Sequence, residues 1–137
     1  MKLLQIPPDI IDRVWSVVAP LLERAIAYSK DTSSLESVKE RSKNSTAQLW
    51  AVIEDEKPHT IVAACLTSIN VYPTGKRALL IELLGGDNMK VWSDLRKEIE
   101  QWAKTEGCSL VFCWCRKGLV SKLPDMRLTH YVMTKEI

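Results

Sequence analysis

The apolar positions in the first third of the chain predict one short strand and two helices. Residues 2–6 form a short apolar segment that ends at two prolines. From Ile10 to Ile26, apolar side chains recur every three or four residues, which is the spacing of one helix face, and Pro20 is expected to kink or split this helix. Ser33 and Glu36 have the spacing of a capping box, so a second, short and polar helix is predicted to begin there.

The hydrophobic period then changes from that of a helix to that of β-strands. Segments 48–53, 60–69 and 77–84 are rich in β-forming residues and are separated by short turns. The connections are too short for crossovers, so these three strands are predicted to form an antiparallel meander. Residues 89–106 again show one apolar helix face, and Gly107 is suited to close that helix in the left-handed conformation.

The last part of the chain is predicted to complete a mixed sheet. The nearly continuous apolar segment 108–115 is typical of a strand that is covered on both faces. A strand–helix–strand connection makes this strand parallel to segment 77–84. A helical turn or two is predicted from Lys117, and residues 128–134 alternate enough to predict a final strand. The predicted order is β-α-α-β-β-β-α-β-α-β, a single α+β domain over residues 1–137 with a central meander and one βαβ crossover.

Composition and charge narrow the class of protein. Apolar residues make up 46% of the chain and charged residues 26%, which is typical of a globular protein. The net charge of +2 comes without a concentrated basic face, which argues against nucleic-acid binding. No apolar segment approaches membrane-spanning length, and the first residues do not resemble a signal peptide. We therefore expect a cytoplasmic protein without a membrane partner.

The four cysteines are expected to be reduced and mostly buried. Cys113 and Cys115 are separated by one residue, whereas zinc-binding pairs are usually separated by two. The two histidines lie far from them in sequence. No metal site is therefore predicted.

The order of elements and several local sequences resemble the GNAT superfamily of acyl-CoA-dependent N-acyltransferases. The resemblance is strongest in three stretches: the strand and turn Leu80–Gly86, the helix that ends at Gly107, and Val111–Leu119. The chain also resembles short GNAT-like proteins encoded by bacteriophages and prophages, through Gln101–Cys108 and Arg116–Gly118. The resemblance implies a GNAT-like fold.

The resemblance also implies a site for acetyl-CoA. In the superfamily, the turn after the fourth strand and the start of the next helix hold the pyrophosphate of acyl-CoA, as helix N-termini favour anions in general. This role would fall on Leu83, Leu84, Gly85, Gly86, Asn88, Met89 and Arg116. Leu83 stands where the family has Gln or Arg, and Asn88 stands where it has Gly or Ala. A tight turn that requires positive φ would explain the two glycines without any ligand.

Glu82 and Tyr131 are the candidate catalytic residues. GNAT enzymes often place a glutamate near this strand as the general base, and burial would raise its pKa. An ion pair between Glu82 and Arg77 or a lysine on a neighbouring strand is the alternative. Tyr131, with His130 beside it, is the candidate general acid. The family tyrosine usually follows the fifth strand, and residues 117–123 contain none, so ordinary strand packing of Tyr131 is the alternative.

Two functions follow from the resemblance and both stay open at this point. The first is an enzyme that moves an acyl group from acyl-CoA to an unknown amine acceptor. The second is a non-catalytic GNAT-fold protein of a phage or prophage that acts through protein–protein contacts. The sequence leaves the oligomeric state open.

Overall fold

A computed structural model of the protein describes residues 1–29, 31–57, 60–86, 89–115 and 117–137. The strands are β1 Lys2–Gln5, β2 Gln48–Ile53, β3 Ile61–Val71, β4 Arg77–Gly86 and β5 Leu110–Cys113. The helices are α1 Ile11–Ala27, α2 Leu35–Lys43, α3 Met89–Thr105 and α4 Lys117–Val120, and a short 3-10 helix, Pro8–Ile10, precedes α1. No helix in the described ranges is both long and apolar enough to cross a membrane.

The five strands form one mixed sheet in the order β1-β2-β3-β4-β5. The first four strands are antiparallel neighbours, and β4 and β5 are parallel. Helix α3 connects the parallel pair, because a parallel connection needs a crossover rather than a tight turn. The α+β fold class, the meander and the βαβ crossover are therefore confirmed.

Helices cover both faces of the sheet. On one face, α1 and α2 enclose a core that includes Val18 and Leu22 of α1, both fully buried. On the other face, α3 contributes Trp92 and Ile99 to a second core. Trp102, also on α3, packs edge-on against Trp50 of β2, with the ring centroids 5.2 Å apart. This two-sided burial explains why the central strands are apolar almost throughout.

Two local features of the first helices differ from the sequence prediction. Helix α1 continues through Pro20 as a single helix of 17 residues, so Pro20 does not split it, and a kink at Pro20 stays a prediction. The capping box of α2 lies one residue later than predicted, and it joins Ser34 to Ser37 instead of Ser33 to Glu36. Serine serves at both positions because its hydroxyl accepts from one backbone N–H, and the partner side chain accepts from the other.

The prediction of a final strand over residues 128–134 is wrong. Residues 121–137, all of them described, contain neither helix nor strand, so the order ends at β5-α4. Alternation along a segment indicates that it can form a strand, but a strand also needs a partner for its backbone groups. Trp114 belongs to the segment 108–115 that was predicted to be a strand covered on both faces, but it follows the end of β5 and is 77% exposed. Of the four free cysteines, Cys65 alone is fully buried, and Cys115 is exposed.

Candidate functional site

Strand β4 contains a β-bulge at Glu82. Leu66 of β3 pairs with Leu83, whereas the next β3 residue, Thr67, pairs with Ile81. Glu82 is the extra residue between these two pairs and has no partner in the β3–β4 ladder. A bulge of this kind redirects a side chain and is found frequently beside functional sites.

Glu82 forms a two-point ion pair with Arg41 of α2. The Nη1 of Arg41 donates to Oε1 over 2.8 Å, and Nη2 donates to Oε2 over 2.6 Å. Ser68 of β3 also donates a hydrogen bond to this carboxylate. The bulge therefore turns Glu82 towards α2, on the same side of the sheet as Leu83, which packs into the core under α1 and α2.

The environment of Glu82 stabilises its ionised form. Burial by itself would raise the pKa of the carboxyl group. The hydrogen bonds from Arg41 and Ser68, and the positive charge of Arg41, outweigh burial, so the pKa of Glu82 lies below its ordinary value. The expectation of a raised pKa is therefore wrong. The expected partner Arg77 instead donates to the carbonyl oxygen of Glu106 over 2.9 Å.

Gly85 and Gly86 lie within β4, where they pair with Ala64 and Ala63, and do not form a tight turn. A Cβ atom on Gly85 would lie 1.8 Å from the carbonyl oxygen of Leu21, because α1 crosses the strand there. Gly86 has a φ of +147°, and a Cβ atom on it would lie 2.6 Å from the Cβ of Ala63. Packing and backbone conformation therefore require both glycines, and the space beside each is already filled by protein atoms.

The edge of β4 that faces β5 is only partly paired. The parallel ladder ends at Ile81 and Cys113, and β4 continues to Gly86 with no strand beside it on that side among the described residues. Backbone groups at an unpaired strand edge can bind an extended ligand that contains amide groups. Helix α3 begins at Met89, and its N-terminus favours an anion. Separately, an unpaired strand edge suits the amide groups of acyl-CoA, and a helix N-terminus suits its pyrophosphate.

The other residues that the resemblance assigned to acyl-CoA lie in different environments. The side chain of Leu83 is buried under α1 and α2, and that of Leu84 packs against the core on the α3 side. The buried side chain of Leu83 therefore leaves only its backbone groups for a ligand, whereas the side chain of Leu84 is partly exposed. Asn88 and Arg116 lie outside the described residues.

Tyr131 lies in the segment without helix or strand, and its side chain is 86% exposed. Within the described chain, the hydrogen bonds of Glu82 go to Arg41 and Ser68 and none goes to Tyr131. His130 makes a hydrogen bond of 2.7 Å to Thr129 in the same segment. The structure therefore does not bring the two candidate catalytic residues together, and the role of Tyr131 stays a prediction.

Two arginines form ion pairs in the structure that their residue type alone does not predict. Arg41 lies in a run of charged residues that resembles a solvated helix face, and nothing in its spacing points to Glu82. Arg96 of α3 is only 2% exposed and pairs with Glu100 and with Asp125. The helical period contained a signal for Arg96, since it lies four residues after Trp92 and three before Ile99, on the buried face.

The mixed sheet, with its antiparallel meander, the parallel pair β4–β5 and helices on both faces, has a GNAT-like fold, as predicted. An aminoglycoside acetyltransferase from an uncultured soil metagenomic sample superposes with a TM-score of 0.72 at 11% identity, over 99% of this chain and 96% of that one. Glucosamine-6-phosphate N-acetyltransferase from Arabidopsis thaliana superposes with a TM-score of 0.67 at 16% identity, over 98% and 97% of the two chains. No protein-family model and no curated protein matches the sequence. At these identities the similarity establishes the fold.

Proposed function

We propose that the protein is an N-acyltransferase that moves an acyl group, with acetyl-CoA as the donor, to an amine. The observation that carries this proposal is the parallel pair β4–β5, whose ladder ends immediately beside the bulge at Glu82. This arrangement leaves a free strand edge and an ionised carboxylate next to each other. Acetyltransferases with this fold that act on aminoglycosides and on glucosamine 6-phosphate support the assignment by analogy.

The backbone of β4 from Glu82 to Gly86 binds the amide-containing arm of acyl-CoA in this proposal. The N-terminus of α3 at Met89, together with Asn88 and Arg116, binds the pyrophosphate. Acyl-CoA supplies a thioester whose carbonyl carbon is attacked by the amine nitrogen. The C–N bond forms, the C–S bond breaks, and the CoA thiol is the leaving group.

Glu82 attracts the cationic form of the amine and accepts its proton, directly or through a water molecule. Arg41 ensures that Glu82 is a carboxylate at neutral pH, but the lowered pKa also makes Glu82 a weaker base. Tyr131 protonates the leaving thiolate in this scheme, which requires the C-terminal segment to fold over the unpaired edge of β4.

Binding of acetyl-CoA is tested by isothermal titration calorimetry with a matched pair of variants at Met89. Met89→Glu places a negative charge at the start of α3, where it suits the helix dipole but repels a pyrophosphate. We expect it to weaken binding by about tenfold or more, whereas Met89→Gln should stay within about twofold of wild type. Absence of binding by folded wild-type protein would exclude the proposal. Gly86→Val is unsuitable, because its side chain would collide with Ala63.

Catalysis is tested separately with Glu82→Gln and release of free CoA thiol in the presence of a panel of amines. This variant keeps the shape of the side chain but cannot accept a proton, so it should bind acetyl-CoA normally and turn over about 10²-fold more slowly. Its melting temperature must be measured as well, because the ion pair with Arg41 is lost. Unchanged turnover would exclude the role of Glu82 and leave the binding proposal intact.

The alternative is a non-catalytic GNAT-fold protein of a phage or prophage that acts through protein contacts. Arg41 already occupies both carboxylate oxygens of Glu82, which favours a structural role for that residue. The sequence departures at Leu83 and Asn88 point the same way. This alternative stays a prediction, and failure of folded protein to bind acetyl-CoA would favour it.

A further inference from the structure

Two thiols lie in contact at the end of β5. Cys113 and Cys115 are both free cysteines, and the first is half-buried whereas the second is exposed. Their side chains are hydrogen-bonded to each other. Residues two apart in an extended chain lie on the same side of it, so both thiols are on one side, and Trp114 between them is 77% exposed. The spacing that does not suit zinc therefore produces a close pair of thiols.

The two positions are close enough for a disulfide. The Cα atoms of residues two apart are separated by at most about 7 Å, and disulfides join Cα atoms that are up to about 6.8 Å apart. The two side chains already touch, so the backbone needs little movement. The other cysteines are less suited: Cys65 is fully buried, and the length of β5, Leu110–Cys113, separates Cys108 from Cys113 by about 10 Å.

The surroundings give the two thiols different roles. Burial and the neighbouring Cys115 raise the pKa of Cys113 to about 11, so Cys113 keeps its proton at neutral pH, while the charge of Arg96 acts in the opposite direction. Cys115 is the thiol of the pair that a solute in water reaches first. The Nη1 of Arg96 is buried and has no hydrogen-bond acceptor among the described residues. A buried donor without an acceptor calls for an explanation, and its positive charge favours loss of the Cys113 proton when that thiol reacts.

We propose that Cys113 and Cys115 are a modification site, at which a peroxide converts the two thiols into a reversible disulfide. With hydrogen peroxide, the sulfur of Cys115 attacks one oxygen, the O–O bond breaks, and Cys115 becomes a sulfenic acid as water leaves. The sulfur of Cys113 then attacks the sulfur of Cys115, the S–O bond breaks, and a second water leaves with the Cys113 proton. The two sulfurs lose two electrons in total, and the two peroxide oxygens gain them.

The disulfide is expected to be labile. Exposed disulfides are reduced more readily than buried structural ones, so a small thiol should reverse the modification. The site lies at the end of the β4–β5 ladder, where Cys113 is opposite Ile81. This inference does not depend on the proposed acyltransferase activity.

Mapping of the disulfide in the wild-type protein tests the proposal. Reduced protein is treated with hydrogen peroxide and denatured, its free thiols are alkylated, and the disulfides are then reduced and labelled with a second reagent. We expect the count of free thiols to fall from four to two. Tandem mass spectrometry should find the second label on Cys113 and Cys115. Dithiothreitol should restore all four thiols, and a gel without reductant should show single chains.

Three serine variants separate the roles of the cysteines. Cys108→Ser is the matched control and should form the disulfide within about twofold of the wild-type rate, because Cys108 takes no part in it. Cys115→Ser removes the exposed nucleophile and should react with peroxide about tenfold more slowly or less. Cys113→Ser should form no disulfide within the chain, and dimedone should trap the sulfenic acid that remains on Cys115.

The result for the wild-type protein decides the proposal whether or not every variant folds. Four free thiols after peroxide treatment would overturn it. A second label on Cys65 or Cys108 would also overturn it, and so would a disulfide between two chains. Oxidation of Cys115 that dithiothreitol does not reverse, with Cys113 left as a free thiol, would show that the two thiols do not act as a pair.

Discussion

Replacing Gly85 with alanine tests the close approach of α1 to β4. The added Cβ would lie 1.8 Å from the carbonyl oxygen of Leu21 and 2.7 Å from its carbonyl carbon. Both are backbone atoms, so no change of side-chain rotamer can relieve the contact. Helix α1 would have to move away from the strand by about 1.5 Å to restore an ordinary van der Waals distance.

The cost follows from what such a movement would disturb. Val18 and Leu22 on the same helix are fully buried against the sheet, so a shift of α1 loosens their packing. Overpacking of a core costs about 1–3 kcal/mol, and contact between two backbones belongs at the upper end of that range. We therefore expect Gly85→Ala to lower the free energy of unfolding by about 3 kcal/mol and the melting temperature by about 10 °C.

Urea and thermal unfolding followed by circular dichroism measure this effect. Gly118→Ala is the matched control, since Gly118 lies in α4 and a Cβ atom on it would meet nothing within 4 Å. Alanine there should be neutral or stabilising by up to about 1 kcal/mol. A Gly85→Ala protein whose stability lies within about 1 kcal/mol of wild type would refute the close approach of α1.

Three further predictions concern the Glu82 ion pair and the cysteines. Arg41→Met should destabilise the protein by about 1–3 kcal/mol, which is less than the loss of a fully buried ion pair would cost, because the Arg41 side chain is 34% exposed. A double-mutant cycle of Arg41→Met with Glu82→Gln should return a coupling energy of at least about 1 kcal/mol. Additive effects of the two substitutions would contradict the ion pair. The folded-state pKa of Glu82 lies below its unfolded value of about 4.3. The ionised Glu82 therefore contributes to the free energy of unfolding above that pH, and this contribution is lost as the pH falls through the folded-state pKa. The difference in melting temperature between wild type and Arg41→Met should therefore shrink below about pH 4, and a difference that grows there would contradict the lowered pKa. In the native protein, a thiol reagent should label the exposed Cys115 first and the buried Cys65 last, because burial raises the pKa of Cys65. In the denatured protein without reductant, the reagent should count four free thiols, and a count of two would indicate a disulfide.

The order of elements was predictable because hydrophobic periodicity is a local property. The apolar face of α3 and the continuous apolar segment that contains β5 indicated a helix between two parallel strands. The number of residues that connect neighbouring segments then limited the topology to a meander followed by a crossover. For the same reason the Gly85–Gly86 region and Glu82 stood out in sequence as unusual positions within an apolar strand.

The partners of those residues were decided by the tertiary structure. Glu82 and Arg41 are 41 positions apart, and a bulge and the docking of α2 bring them together. Gly85 is required by the position of Leu21 on another element, and a local pattern contains no information about that distance. The segment 128–134 alternates like a strand but forms none, because periodicity shows what a segment can form, whereas its backbone pairs only where the packing of the whole chain supplies a neighbouring edge.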